Sequence, residues 1–144
     1  MPVYPDCFPD NFASEILPKE AKYENKPVYR IIKFGKINRD AFISSYEEVV
    51  KGLRPAPKIG MDLDDPGTYS TSCNMEYSEA EYMLKIFMRH YPRPCIAKGL
   101  TEYKCGPCQL TSEREERIDT HVDWWIYKDA NPQDYFEEVN SIEG

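Results

Sequence analysis

Three short segments concentrate side chains able to do chemistry. The first is Val28-Tyr29-Arg30-Ile31-Ile32-Lys33-Phe34, a β-branched and aromatic run closed by Gly35, which predicts a strand with an arginine at its centre. A guanidinium buried on a strand is costly unless it meets an anion or a carboxylate. The second is Ser70-Thr71-Ser72, hydroxyls in a row on a predicted strand over 68–73, which can donate to a ribose or to phosphate oxygens. The third is His121-Val122-Asp123, opening the clearest strand of the chain, predicted over 121–127. Side chains alternate along a strand, so the imidazole and the carboxylate share one face. Together these groups suit an anionic, hydroxyl-rich ligand.

The order of the segments resembles that of ADP-ribosyltransferases. Tyr29-Arg30 on a first strand, then a helix, then Tyr69-Ser70-Thr71-Ser72, is similar to that family's arginine and Ser-Thr-Ser motifs. The resemblance implies that Arg30 contacts the phosphates of NAD and that Ser70, Thr71 and Ser72 shape a nicotinamide pocket. The family's third motif, Glu/Gln-x-Glu, is not matched; its nearest counterpart is His121-Val122-Asp123. The resemblance then gives Asp123 the ribose-binding carboxylate role, stabilising an oxocarbenium-like state, with His121 on an adjacent group. The implied activity is cleavage of the nicotinamide–ribose bond, with ADP-ribose passed to a protein, a nucleic acid or water. Trp124 and Trp125 place one indole on each face of their strand, one for the core and one, Trp125, to stack on a nicotinamide ring.

Five cysteines (Cys7, Cys73, Cys95, Cys105, Cys108) are too few and too scattered for a disulfide framework, and predict a reduced, cytoplasmic chain. Cys105-Gly106-Pro107-Cys108 lies between two strand-like segments, as a zinc knuckle would. Cys105 and Cys108 could share a tetrahedral metal with Cys95 or Cys73 and with His121. The same letters match a thioredoxin-type redox motif, but no long helix follows to lower the first thiol's pKa. The simplest expectation is a tight turn with free thiols. Asp62, Asp64 and Asp65 lack the spacing of a calcium loop. The charged run over 112–117 reads as a solvated loop able to cover a site.

These segments need elements to position them. Residues 1–27 carry Pro2, Pro5, Pro9, Pro18 and Pro27, and predict an extended arm docked through Tyr4, Phe8 and Phe12. Phe42, Tyr46, Val49, Val50 and Leu53 recur at helical spacing, predicting a helix over 38–51 capped by Asn38. A proline- and glycine-bearing loop follows over 54–67. Ser78 and Glu81 form a capping-box pattern for a helix over 78–91, with Tyr82, Met83, Ile86, Phe87 and Tyr91 on its buried face and His90 in its last turn. A strand over 95–103 precedes the Cys105 turn. Asn131-Pro132 opens a last helix to about Val139. The expected architecture is a single α+β domain over 28–144, a small mostly antiparallel sheet with about three helices, behind the arm.

Length and charge bound the partners. The chain has 144 residues, 41% of them hydrophobic, 18 Lys and Arg against 25 Asp and Glu, and a formal net charge of -7. A chain of this size can bury its own core. The acidic balance disfavours non-specific nucleic-acid binding, which needs clustered cations. No run approaches the roughly 20 apolar residues of a membrane span, and residues 1–9 lack the pattern of a signal peptide. Two functional readings follow. One is a cytoplasmic protein binding a nucleotide of the NAD type. The other is an acidic interaction module, an inhibitor or accessory factor of phage or mobile-element type, zinc-stabilised through the C-x-x-C turn. Its net charge and 11 tyrosines suit a basic protein partner.

Overall fold

In the computed structural model, which describes residues 2–57 and 60–139, six strands form one antiparallel sheet in the order β4-β5-β2-β1-β3-β6. The strands are β1 (Pro27–Ile32), β2 (Thr71–Asn74), β3 (Cys95–Leu100), β4 (Cys108–Leu110), β5 (His121–Trp124) and β6 (Phe136–Glu138). Two α-helices, α1 (Ser45–Val50) and α2 (Tyr77–Phe87), and short 3-10 turns connect them. The class is α+β, in one small domain. Among the described residues no helix is long and apolar enough to cross a membrane.

Alternation sets the two faces. Val28, Ile32, Cys73, Ala97, Cys108, Val122, Trp124 and Phe136 pack with Phe42, Cys105 and Ile126 into the main core. The opposite face carries Tyr29, Ile31, Ser72, Asn74, His121 and Asp123, as the ladder registers Tyr29 with Asn74, Asn74 with His121 and Ser72 with Asp123. A second cluster joins Phe8 and Phe12 of the arm to Tyr69 and Trp125. Phe8 and Phe12 lie 5.0 and 5.3 Å from Tyr69, ring to ring. The arm also extends the sheet edge, with Lys22 and Cys108 exchanging both backbone hydrogen bonds at 2.8 Å.

Local chemistry explains where the elements differ from the sequence pattern. The helix expected over 38–51 is a 3-10 turn (Arg39–Phe42) capped by Asn38, then α1. Ile43 and Ser44 between them are extended, because Ser44 Oγ accepts from the Glu47 amide while the Glu47 carboxylate accepts from the Ser44 amide. That capping box starts α1 inside the expected helix. Val50 and Leu53, expected on a buried face, are 53% and 45% exposed. In α2 the cap position is Glu76 with no side-chain bond, so Ser78 is free to face outward. Tyr82, expected inside, is 67% exposed. The last expected helix is a single 3-10 turn (Pro132–Tyr135) that passes into the edge strand β6. Its Phe136 buries on β3 opposite Gly99, where a side chain on the glycine would strike the Phe136 ring.

Candidate functional site

A cleft of about 580 Å³ opens on the second face, between α2 and strands β1, β2 and β5. Its apolar side is Tyr29, Ile31, Met83 and Phe87, and its polar floor is Ser70, Ser72, Asn74 and His121. One end holds Arg30, Lys33, Glu48 and Arg54; the other holds Glu79, Arg117 and Asp119.

Arg30 is the pivot between sheet and cleft. β1 and β2 are registered at a single pair, Tyr29 with Asn74, and beyond it the Arg30 guanidinium takes the place of the ladder. Its Nη1 donates to the Ser72 carbonyl at 2.9 Å, its Nε to Ala41 at 3.1 Å and its Nη2 to Ile43 at 3.5 Å. Three of five N–H donors are thus committed to backbone. Among the described residues no carboxylate lies within 4.0 Å of it. Burial lowers its pKa. A desolvated cation whose direct partners are carbonyl dipoles, with Glu48 acting on it only from farther off, favours an added anion.

Next to it, Lys33 Nζ sits 2.7 and 2.8 Å from the two Glu48 oxygens and 5.6 Å from the Phe87 ring centre. Burial lowers the Lys33 pKa, against the pull of Glu48. Arg54 reaches Glu48 at 3.5 Å. Three cations therefore face one carboxylate, in a chain whose overall charge is negative.

The far end is built by Glu79. Its carboxylate accepts from the Thr120 amide, from Thr120 Oγ1 at 2.7 Å and from Asn74 Nδ2 at 2.9 Å, tying α2 to the start of β5. Arg117 forks onto Asp119 at 2.7 and 2.8 Å, and that bond holds the Asp119 carboxyl below its usual range. His121 lies between, and burial lowers its pKa.

Of the residues singled out from the sequence, Arg30, Ser70, Ser72 and His121 line this one cleft. Asp123 does not. It lies beneath the floor, 2% exposed, accepting from Ser70 Oγ at 2.5 Å, Thr111 Oγ1 at 2.8 Å and Arg114 Nη2 at 2.7 Å. Thr71 points to the opposite face, where its hydroxyl donates to the Phe42 carbonyl at 2.6 Å. Trp125 is fully buried under the arm, its Nε1 donating to the Pro66 carbonyl at 2.9 Å, so it does not stack on a cleft ligand. The zinc set is not assembled. Cys105 and Cys108 lie in the main core, Cys95 faces Ile32 across β1 and β3, and His121 is on the other side of the sheet. Among the described residues no three His, Cys, Asp or Glu side chains could hold a metal ion. Burial pushes the Cys105 thiol up to about 11, the reverse of a redox motif.

No family model, curated protein or solved structure matches the chain. The cleft therefore stands on its own geometry. Sequence reading missed Lys33, Glu48, Arg54, Glu79, Thr111 and Arg114. Alternation from Tyr29 through Ile31 to Lys33 was the available signal for the first of these; the others come from loops and helices whose placement no local pattern encodes.

Proposed function

We propose that this cleft binds a nucleotide of the NAD type, its phosphates at the Arg30–Lys33–Arg54 end and its ribose hydroxyls toward Ser72 and His121. The observation that carries the reading is Arg30, a half-buried guanidinium without a carboxylate within 4.0 Å among the described residues, opening on a cleft whose same end holds two further cations and one carboxylate. Diphosphate oxygens supply the missing anion, and bidentate donation to them from a guanidinium is the strongest form of that contact. The apolar wall of Tyr29, Met83 and Phe87 suits a flat ring. The resemblance to ADP-ribosyltransferases supports the choice of NAD and makes cleavage of the nicotinamide–ribose bond the reaction to test, with Asp123 acting from behind His121 rather than on the ribose directly.

Native mass spectrometry and calorimetry with NAD test it. A single NAD or ADP-ribose adduct is expected, weakened about tenfold or more in Lys33→Ala and Arg54→Ala, since each removes a charge-assisted contact. Absence of any adduct with NAD, ADP-ribose or inorganic pyrophosphate would sink the reading. The acidic interaction module keeps one supporting observation: Tyr82, Met88 and Phe34 stand exposed on and beside α2. Salt-sensitive capture of a basic protein, without an NAD adduct, would favour it instead.

A further inference from the structure

His121, Thr111 and Asp123 form a hydrogen-bonded row from the cleft into the sheet. Thr111 follows β4 directly and is buried. Its Oγ1 lies 2.8 Å from Oδ2 of Asp123 and 2.6 Å from Nδ1 of His121. A hydroxyl has one proton to give. Asp123 is ion-paired to Arg114 at 2.7 Å and accepts from Ser70, so it is an acceptor throughout and brings no proton of its own. The Thr111 proton must therefore lie on the Asp123 side. The Thr111 oxygen is then left to accept, and the proton between it and His121 belongs to Nδ1. The ring Nε2, with no protein partner among the described residues, is a bare lone pair on a residue that lines the cleft.

We infer that Thr111 is a positioning residue that locks neutral His121 in its Nδ1–H form, so that Nε2 meets the cleft ligand as a hydrogen-bond acceptor. The ligand group selected at this end is an O–H or N–H donor: a ribose hydroxyl, a carboxamide or a water. A phosphate or carboxylate oxygen is rejected here, because it would face the Nε2 lone pair. The cleft is thereby directional, anion at Arg30 and donor at His121. Around the ring Asp123, Asp119 and Glu115 favour the protonated form, but burial, the largest influence, together with Arg117 outweighs them and lowers the pKa. The choice of donor group deepens the nucleotide reading and rests on it; the tautomer does not.

Nitrogen-15 NMR of the imidazole in the full chain decides the matter. Only two histidines are present, and His90 is exposed, so a His90→Gln background leaves His121 alone in the spectrum. At about pH 8, where the ring is neutral, a pyrrole-type Nδ1 and a pyridine-type Nε2 are expected. Thr111→Val should move the proton to Nε2, and Thr111→Ser should restore the original pattern. A proton on Nε2 in the unsubstituted residue overturns the inference, as does a Thr111→Val protein with a native amide spectrum and an unchanged ring. NAD added to the same samples separates the two claims. An intact tautomer without NAD binding removes the nucleotide reading alone; NAD binding with the proton on Nε2 removes the lock alone.

Discussion

Arg114 closes over Asp123 from the loop between β4 and β5, Nη2 to Oδ2 at 2.7 Å, with its guanidinium 5.6 Å over the Trp125 ring and its Nη1 on Gln109. The pair joins the wall under the cleft to the cluster under the arm. Asp123 is buried and Arg114 half-buried, so removing Arg114 strands a buried carboxylate and removing the carboxylate leaves the arginine unpaired, at about 3 kcal/mol each.

Arg114→Met and Asp123→Asn should therefore each lower the melting temperature by roughly 10 °C in a domain of this size. The double variant should lose clearly less than the two combined, because neither charge is then left alone. Strict additivity in calorimetry would show that the pair is not coupled.

The hydroxyl and imidazole positions of the cleft were legible because alternation is a property of the backbone: Ser70, Ser72 and His121 share the cleft face, and Thr71 falls on the other. The same rule fails for Trp125, which lies one residue beyond β5, where the Pro66 carbonyl and the arm's aromatics capture it. Helices were less legible. The run from Phe42 to Leu53 has helical spacing, but the Ser44–Glu47 capping box outcompetes it by satisfying two end groups at once. The second capping-box pattern, Ser78 with Glu81, is not formed, because α2 starts earlier with Glu76 as its cap, while Glu79 of that first turn bonds across to Thr120 and Asn74. Tertiary carboxylate bonds of this kind leave no trace in local sequence.

His121 gives the fold an acid limit. Burial sets its folded pKa below the ordinary 6.5, so between those two values the unfolded chain binds a proton that the folded chain does not. Stability rises with pH through that window and falls on acidification below about 6.5, with a slope of up to about 1.4 kcal/mol per pH unit. Denaturant titrations between about pH 7.5 and 5.5 should show this loss, and His121→Asn should reduce it. An unchanged slope in the variant would assign the acid limit to the carboxylates.

Thiol chemistry should be slow in the native protein. Burial pushes Cys73 up to about 12 and both Cys95 and Cys105 up to about 11. Near pH 8 the reactive thiolate is then rarer by about a hundredfold or more than in an unfolded chain. Iodoacetamide should label all five cysteines in denaturant and leave Cys73, Cys95 and Cys105 unmodified over the same time without it. Fast labelling of Cys105 would reopen the redox and metal readings of its turn.

That turn has a structural task that its glycine performs and its cysteines do not. Gly106 sits at φ +145, and a side chain there would strike the Trp125 carbonyl. The turn receives the continuation of β5: the Trp125 amide donates to Pro107 at 3.0 Å, the Tyr127 amide to Cys105 at 2.8 Å, and Trp124 Nε1 to Gly106 at 3.1 Å. Gly106→Ala must break this seam or bend it, and should cost about 3 kcal/mol or more. Cys108→Ala removes only a small buried side chain and should cost less, about 1–2 kcal/mol. A chelator should leave the melting temperature unchanged. If instead the chelator and Cys108→Ala destabilise as much as Gly106→Ala, the turn is held by a metal, and the seam of backbone bonds is its consequence.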